Sequence, residues 1–290
     1  MQLSKNKIKS ITISEPIKFE NLVFHPIHFQ NKHSSINLKT LDDLFDENKV
    51  IVEELDYSGS VPKIRIINNS IDHLVVIDGE AIEGAKQNRT IDKTVILKSR
   101  QSQNIDVLCV EKGRWHSTES TFSSHNTKLG MDIRYSKELY NQNKQNTVWS
   151  EIDKRFQNQN KASPTSDLCS LDEEKNFDKS FKNEFKSKVF NKIYNGIIVK
   201  SPTVSFIEIF YDHYIFENQI SKSLNSLLNF QANSKNSNLN LDVSLNNLKR
   251  SIWLKESKDT NESSNSYNCS TKGRAVFYEN QLVHLIYYFM

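Results

Sequence analysis

The sequence predicts an α+β fold, with a β-rich amino-terminal half, a helical middle and a carboxy-terminal β-hairpin returning to the sheet. Three observations predict it. Short β-branched and aromatic runs separated by turn residues fill the first 115 positions. Apolar residues at three- and four-residue spacings fill the middle. Two apolar runs flanking Glu279-Asn280-Gln281 end the chain.

In order, the expected strands are Ile11-Thr12-Ile13, Leu22 to Phe29, Val50-Ile51-Val52, Ile64 to Ile67, Leu74 to Ile77, Thr90 to Leu97 and Ile105 to Val110. The last alternates, so Ile105, Val107 and Cys109 share one face. Leu41 to Phe45 reads as a short helix capped by Thr40. A helix over roughly 136 to 157 stacks Trp149, Ile152 and Phe156, and Ser163-Pro164-Thr165 breaks it. A second, roughly 175 to 194, carries Phe177, Phe181, Phe185 and Val189 at four-residue steps. Ile197 to Val199 and Val204 to Phe210 form a hairpin. Helices marked by Ile220, Leu224 and Leu228, and by Leu245, Leu248 and Ile252, follow. The polar stretches 231–240 and 255–270 read as surface loops, the latter clearest over 255 to 267. No stretch is a clear linker, so one domain over 1–290 is the expectation.

The 290 residues carry a formal charge of +3 and are 37% hydrophobic. Near-neutrality, without aromatics interleaved along a basic stripe, argues against nucleic acid as the partner. Cys109, Cys169 and Cys269 are too scattered for a disulfide framework or a zinc site. The charged start, Met1 to Lys7, lacks the apolar core of a signal peptide, and Leu282 to Met290 is shorter than the roughly 20 residues a spanning helix needs. The expectation is a cytoplasmic protein with no membrane partner.

One region departs from the Lys/Asn/Ser background. It runs from Asp78-Gly79-Glu80 through Gly84-Ala85-Lys86-Gln87-Asn88-Arg89 and is answered by Cys109-Val110-Glu111-Lys112-Gly113-Arg114-Trp115. Three of the chain's seven glycines fall here, where they permit tight turns or close backbone approach. Lys86, Gln87, Asn88 and Arg89 are donors suited to phosphate, ribose or carboxylate. In a lysine-rich chain, Arg114 beside Gly113 points to a need for a planar fork. Trp115 offers a flat face to a ring. Glu80 and Glu111 are the candidate general bases or metal ligands. The bland alternative pairs Arg89 and Arg114 with those two glutamates inside the protein.

Other signals are weaker. His25 and His28 fall on opposite faces of a strand, with His33 nearby, so no metal site is expected there. His284 and Cys109 read as core residues. No Gly-x-Gly-x-x-Gly, Walker loop, His-Glu-x-x-His or Gly-x-Ser-x-Gly occurs, and the cofactor is left open.

The same residues carry a resemblance. Gly79-Glu80-x-x-x-Gly84-Ala85-Lys86-Gln87-Asn88-Arg89 and Cys109-Val110-Glu111-x-Gly113-Arg114-Trp115 resemble the paired motifs of the ARG and rhodanese-phosphatase-superfamily-associated domain. Gln145-x-x-Val148-Trp149-x-Glu151, Ala162 to Thr165, Gly196 to Val199 and Leu282 to Leu285 follow in the right order, covering roughly 15–290. Glu83 departs from the pattern, standing where the family has an apolar residue. The resemblance implies a stand-alone intracellular domain with a place in NAD or ADP-ribose metabolism. The leading expectation is then a pocket for a nucleotide-type ligand. Lys86, Gln87, Asn88, Arg89 and Arg114 would bind its polar groups, Trp115 its ring, and Glu80 or Glu111 would act as base. The competing expectation is a non-catalytic module with a protein partner. Whether the chain is an enzyme stays open.

Overall fold

The computed structural model describes residues 11–30, 36–55, 62–116, 120–173, 179–190, 193–201, 204–228, 254–256, 265–269 and 273–289. The elements in chain order begin with β1 (Ile11–Ile13), β2 (Ile17–Phe19), β3 (Leu22–Phe29), β4 (Leu38–Lys39), α1 (Leu41–Asp46), β5 (Val50–Glu54) and β6 (Lys63–Asn68). Then come β7 (His73–Val76), β8 (Glu80–Gly84), β9 (Arg89–Ile91), β10 (Val95–Leu97), β11 (Ser102–Cys109) and β12 (Phe122–Lys128). The helices α2 (Met131–Leu139), α3 (Lys144–Asn158), α4 (Leu168–Glu173) and α5 (Lys179–Val189) follow. The chain closes with β13 (Gly196–Lys200), β14 (Ser205–Phe210), α6 (His213–Leu228), β15 (Leu254–Glu256), β16 (Asn265–Cys269), β17 (Gly273–Tyr278) and β18 (Gln281–Phe289). This is the α+β class the sequence predicts.

The chain divides into two compact units. One comprises Met1–Ser34, Asn176–Ser221 and Phe230–Met290; the other comprises Ser35–Lys175 and Lys222–Asn229.

The first unit is built on an antiparallel sheet in the order β1-β3-β13-β14-β18-β17-β16-β15, with β2 also on β3. The closing hairpin therefore joins the sheet that holds β1 to β3, by way of β13 and β14. Its turn places Glu279 and Asn280 at φ 48° and 62°, the left-handed pair that a two-residue hairpin loop requires. Strand alternation separates two faces. Phe24 packs against Phe181 and Phe185 of α5, with ring centroids 6.0 and 5.2 Å away. Ile27, Ile198, Ile207, Ile209 and Leu285 form an apolar cluster. The Asn195 side chain ties strand ends together, accepting from Phe29 N at 2.8 Å and donating to Phe29 O and Phe210 O.

The second unit centres on a six-stranded sheet, β12-β8-β9-β11-β6-β5. An antiparallel bridge between Glu53 and Thr121 joins its two edges and closes it into a barrel. Val52, Ile64, Ile66, Ile82, Ile91, Ile105, Val107 and Phe122 form one buried cluster, the packed barrel interior. The same cluster takes in Leu41 and Leu44 of α1 and Leu74, Val76, Val95 and Leu97 of the small sheet β10-β7-β4. Thr40 caps α1 in a reciprocal box with Asp43, as the sequence predicts for the cap.

Several expectations are corrected. The run Thr90 to Leu97 is two strands, because Asp92 turns toward lysines and Thr94 Oγ1 accepts from Asp78 N at 2.9 Å. The helix expected over 136 to 157 is α2 and α3, parted by a 3-10 turn at Asn141–Asn143, where Tyr140 leaves helical geometry (φ −102°, ψ 49°). Asn-Gln-Asn is a weak helical sequence. On α3 the buried row is Val148, Ile152 and Phe156, and Trp149 lies to its side. The helix expected over 175 to 194 is the shorter α5; α4 before it went unread. The stretch read as a loop over 255 to 267 contributes to β15 and β16, which pair with each other. Main-chain pairing needs no apolar pattern, so polar strands escape a reading based on periodicity. Phe177, His33, residues 231–240 and the helix placed on Leu245, Leu248 and Ile252 lie outside the described residues.

Candidate functional site

The two motif segments meet at one end of the barrel, where they build two adjacent structures from different residues.

The first is a clamp centred on Arg114. Gly84 sits at φ +117°, and a Cβ there would lie 2.6 Å from Thr121 O, so only glycine fits this turn. Arg114 fastens the turn. Its Nε donates to Glu111 Oε2 at 2.8 Å, Nη1 to Ala85 O at 2.8 Å, and Nη2 to Gly84 O at 3.3 Å and Asn88 Oδ1 at 3.0 Å. Glu111 Oε2 also accepts from Asn88 N at 3.1 Å, and Asn88 Nδ2 reaches Asp167 Oδ1 at 3.1 Å. Burial pushes the Asp167 carboxyl above its ordinary range, against the hydrogen bond from Asn88. The planar fork inferred from sequence is present, and it binds the chain's own carbonyls and carboxylate.

The second is the polar mouth of the barrel. Ile91, Val107 and Val52 face the interior, so by strand alternation Arg89, Cys109 and Glu54 face it too, one step nearer the end. Register sets Cys109 directly across from Arg89. The Arg89 side chain is wholly buried, and its Nη2 lies 3.4 Å from Glu54 Oε1. Nη1 contacts the Cys109 thiol and donates to Gln87 Oε1 at 3.3 Å. The Cys109 thiol donates to the same oxygen at 3.1 Å. Burial pushes this thiol up despite the neighbouring guanidinium, which favours the protonated, unreactive form. From α3, Gln145 clips the strand end, accepting from Cys109 N at 2.8 Å and donating to Cys109 O at 2.9 Å.

Two atoms of this mouth, Arg89 Nε and Glu54 Oε2, are out of contact with solvent and have no hydrogen-bond partner among the described residues. Burying unmatched polar atoms of charged groups costs free energy. Trp115, 48% exposed, lies against Arg89. The Arg89 guanidinium carbon is 5.8 Å from its ring centroid and Lys86 Nζ is 5.6 Å from it.

Thus Lys86, Gln87, Arg89 and Trp115 gather at the mouth, while Asn88, Glu111 and Arg114 form the clamp beside it. Glu80 is elsewhere. It opens β8 at the end opposite Gly84, fully buried, with Oε2 accepting from Ile77 N at 2.7 Å and Oε1 held by Lys222 at 3.1 Å. Lys222 also contacts Asp42 at 2.7 Å. The internal pairing weighed from sequence is met for Arg114 with Glu111, but Arg89 takes Glu54 and Glu80 takes Lys222.

Sequence reasoning missed Glu54 as a member of the mouth. It also missed a buried ion network joining α2 and α3 to the barrel. Arg134 Nη2 and Lys137 Nζ reach Asp78 at 2.9 and 2.6 Å, and Lys137 and Lys144 reach Asp92 at 3.2 and 2.8 Å. Burial opposes charge on Asp92, yet Lys137 and Lys144 override it and hold its carboxyl at about 2. Gly79, at φ +86°, leaves the room that Arg134 Cδ occupies 2.9 Å from where a Cβ would be. Arg134 and Lys137 stand at i and i+3 on α2; the available signal was two carboxylates, Asp78 and Asp92, set among apolar runs.

Among the described residues, no group of three or more His, Cys, Asp or Glu is placed to hold a metal ion. No described helix is long and apolar enough to cross a membrane.

A six-stranded barrel with a charged, sealed mouth, in a chain that also builds a long antiparallel sheet, defines an α+β protein in which two sequence motifs make one structural corner. The chain belongs to the family of the ARG and Rhodanese-Phosphatase-superfamily-associated Protein domain, whose sequence model matches residues 10–288. Neither a curated protein nor a solved structure matches it. The family name links the domain loosely to ADP-ribose-related proteins.

Proposed function

We propose that the chain is a ligand-binding domain whose site is the mouth of the barrel, and that its ligand is of nucleotide type. The observation that carries this reading is the unmatched pair, Arg89 Nε and Glu54 Oε2, both buried, with the half-exposed Trp115 indole against Arg89. A domain gains nothing in stability from such a pair, whereas a bound molecule supplies the missing acceptor and donor. Trp115 gives the ring a flat partner and Lys86 gives a phosphate a cation. The link of the family name to ADP-ribose supports the choice of ligand class. Glu80 and Glu111 are engaged as ion-pair partners of Lys222 and Arg114, so the reading is binding without an assigned base. Arg114 and Asn88 act on the ligand indirectly, by fixing the turn that carries Lys86 to Arg89.

Isothermal titration with ADP-ribose and with NAD tests the proposal. Saturable heat from either one, lost in Trp115→Ala, is the expected result. Silence for both at millimolar ligand overturns it.

A second reading, a non-catalytic module that docks on ADP-ribose-handling proteins, is favoured by one observation: both motif guanidinium groups are paired inside the protein. It predicts that silence, together with a loss of thermal stability in Arg114→Ala.

A further inference from the structure

We infer that the barrel mouth recognises a neutral, planar group presenting a hydrogen-bond acceptor beside an N–H donor, the edge of a carboxamide, lactam or amidine, and discriminates against the corresponding carboxylate. This rests on the ligand-binding reading above and names the part of the ligand that is buried.

The argument is one of charge and valence. Arg89 and Glu54 form an ion pair, so the mouth is electrically balanced before anything enters. A carboxylate or phosphate placed here would meet the Glu54 carboxylate, and an ammonium group would meet the Arg89 guanidinium; among desolvated groups either repulsion is strong. The atoms that lack any partner among the described residues are one donor, Arg89 Nε–H, and one acceptor, Glu54 Oε2. Neutral Gln87 and Cys109 fill the guanidinium's other edge, with Gln87 Oε1 accepting at 3.3 Å from Nη1 and at 3.1 Å from the thiol. A group whose carbonyl or ring nitrogen accepts from Nε–H and whose N–H donates to Oε2 satisfies both atoms at once. A carboxylate offers two acceptors and no donor, so it leaves Glu54 unmatched and adds a like charge.

Access is through Trp115. The two atoms are shielded from solvent, and the indole above Arg89 is the half-exposed element of this corner. Swinging it outward opens the mouth and leaves its ring free to stack on a planar ligand. A phosphate carried on the same ligand then lies outside, toward Lys86, where the balance of charge in the mouth does not oppose it.

The test uses isosteric pairs on the full chain: nicotinamide against nicotinate, and benzamide against benzoate, titrated while following tryptophan fluorescence and heat. The inference expects each amide to bind at least about tenfold more tightly than its acid, since a site built around a donor–acceptor pair rejects the analogue that lacks the donor. In Glu54→Gln the preference for the amide narrows or reverses, because the side chain that accepted can now donate. Equal affinity for amide and acid, a tighter acid, or an amide preference unchanged in Glu54→Gln overturns the inference. The wild-type pairs decide it even if that variant fails to fold. Binding of ADP-ribose or NAD without amide discrimination sinks this inference alone; silence for every probe sinks the ligand reading with it.

Discussion

Arg114 and Glu111 face each other three residues apart, Nη2 to Oε2 at 2.7 Å, with side chains only 10% and 7% exposed. The pair closes a loop of bonds through Gly84, Ala85 and Asn88, so the second motif holds the first in place. Removing the arginine strands a buried carboxylate and the carbonyls of Gly84 and Ala85. Arg114→Ala should therefore destabilise the protein by about 3–5 kcal/mol. Arg114→Lys should recover only part of this, because an ammonium cannot reach carboxylate and carbonyls together. Urea unfolding of the three proteins checks the order.

Gly84→Ala places a methyl group 2.6 Å from Thr121 O in a backbone held at φ +117°. Strain of this kind costs about 1–3 kcal/mol, and the clash at the barrel seam adds to it. The expected outcome in thermal melts is a lower midpoint with an unchanged far-ultraviolet spectrum.

Asp92 makes acid stability measurable at one residue. Its folded value, about 2, lies below the ordinary carboxylate value of about 3.9 expected in the unfolded chain. A depressed folded value means the contribution is fully present above about pH 4 and is lost as pH falls toward 2. The linkage amounts to about 2–3 kcal/mol. Stability followed by urea melts from pH 5 down to pH 2 should show this acid limb, and Asp92→Asn should flatten it while lowering stability at neutral pH, where Lys137 loses a partner.

Trp115 is the one member of the mouth that is half exposed and donates nothing to the clamp's bonds. Trp115→Ala should change unfolding free energy by less than about 1 kcal/mol, as a surface truncation does. It should nonetheless abolish the heat of ADP-ribose or NAD binding. Parallel loss of stability and binding would assign the indole to the core instead.

The contrast between residues that sequence reasoning placed and those it did not follows from range. The alternation of Ile105, Val107 and Cys109 is local, and it put Cys109 on the inner face where the structure has it. The Glu111–Arg114 pairing is equally local. Glu80 finds Lys222, 142 residues away, and Arg89 finds Glu54 because a single bridge, Glu53 to Thr121, closes the barrel. No periodicity encodes closure, so the sheet's curvature and the inward turn of Glu54 were illegible. The helix break at Tyr140 was missed because a polar run is common along a helix: Asn141 to Thr147 carry no apolar side chain, and the weak helix formers Asn141 and Asn143 were the available mark.

The Nε–H of Arg89 is directly observable by proton–nitrogen NMR, and it carries the central claim. Titrating ADP-ribose or NAD into labelled protein should move that resonance and slow its exchange with water as the hydrogen bond it lacks is formed, with no such effect on the Arg114 Nε–H already bonded to Glu111. An Arg89 signal that stays fixed while either nucleotide binds, or while neither binds at millimolar concentration, would contradict the barrel mouth as the ligand site.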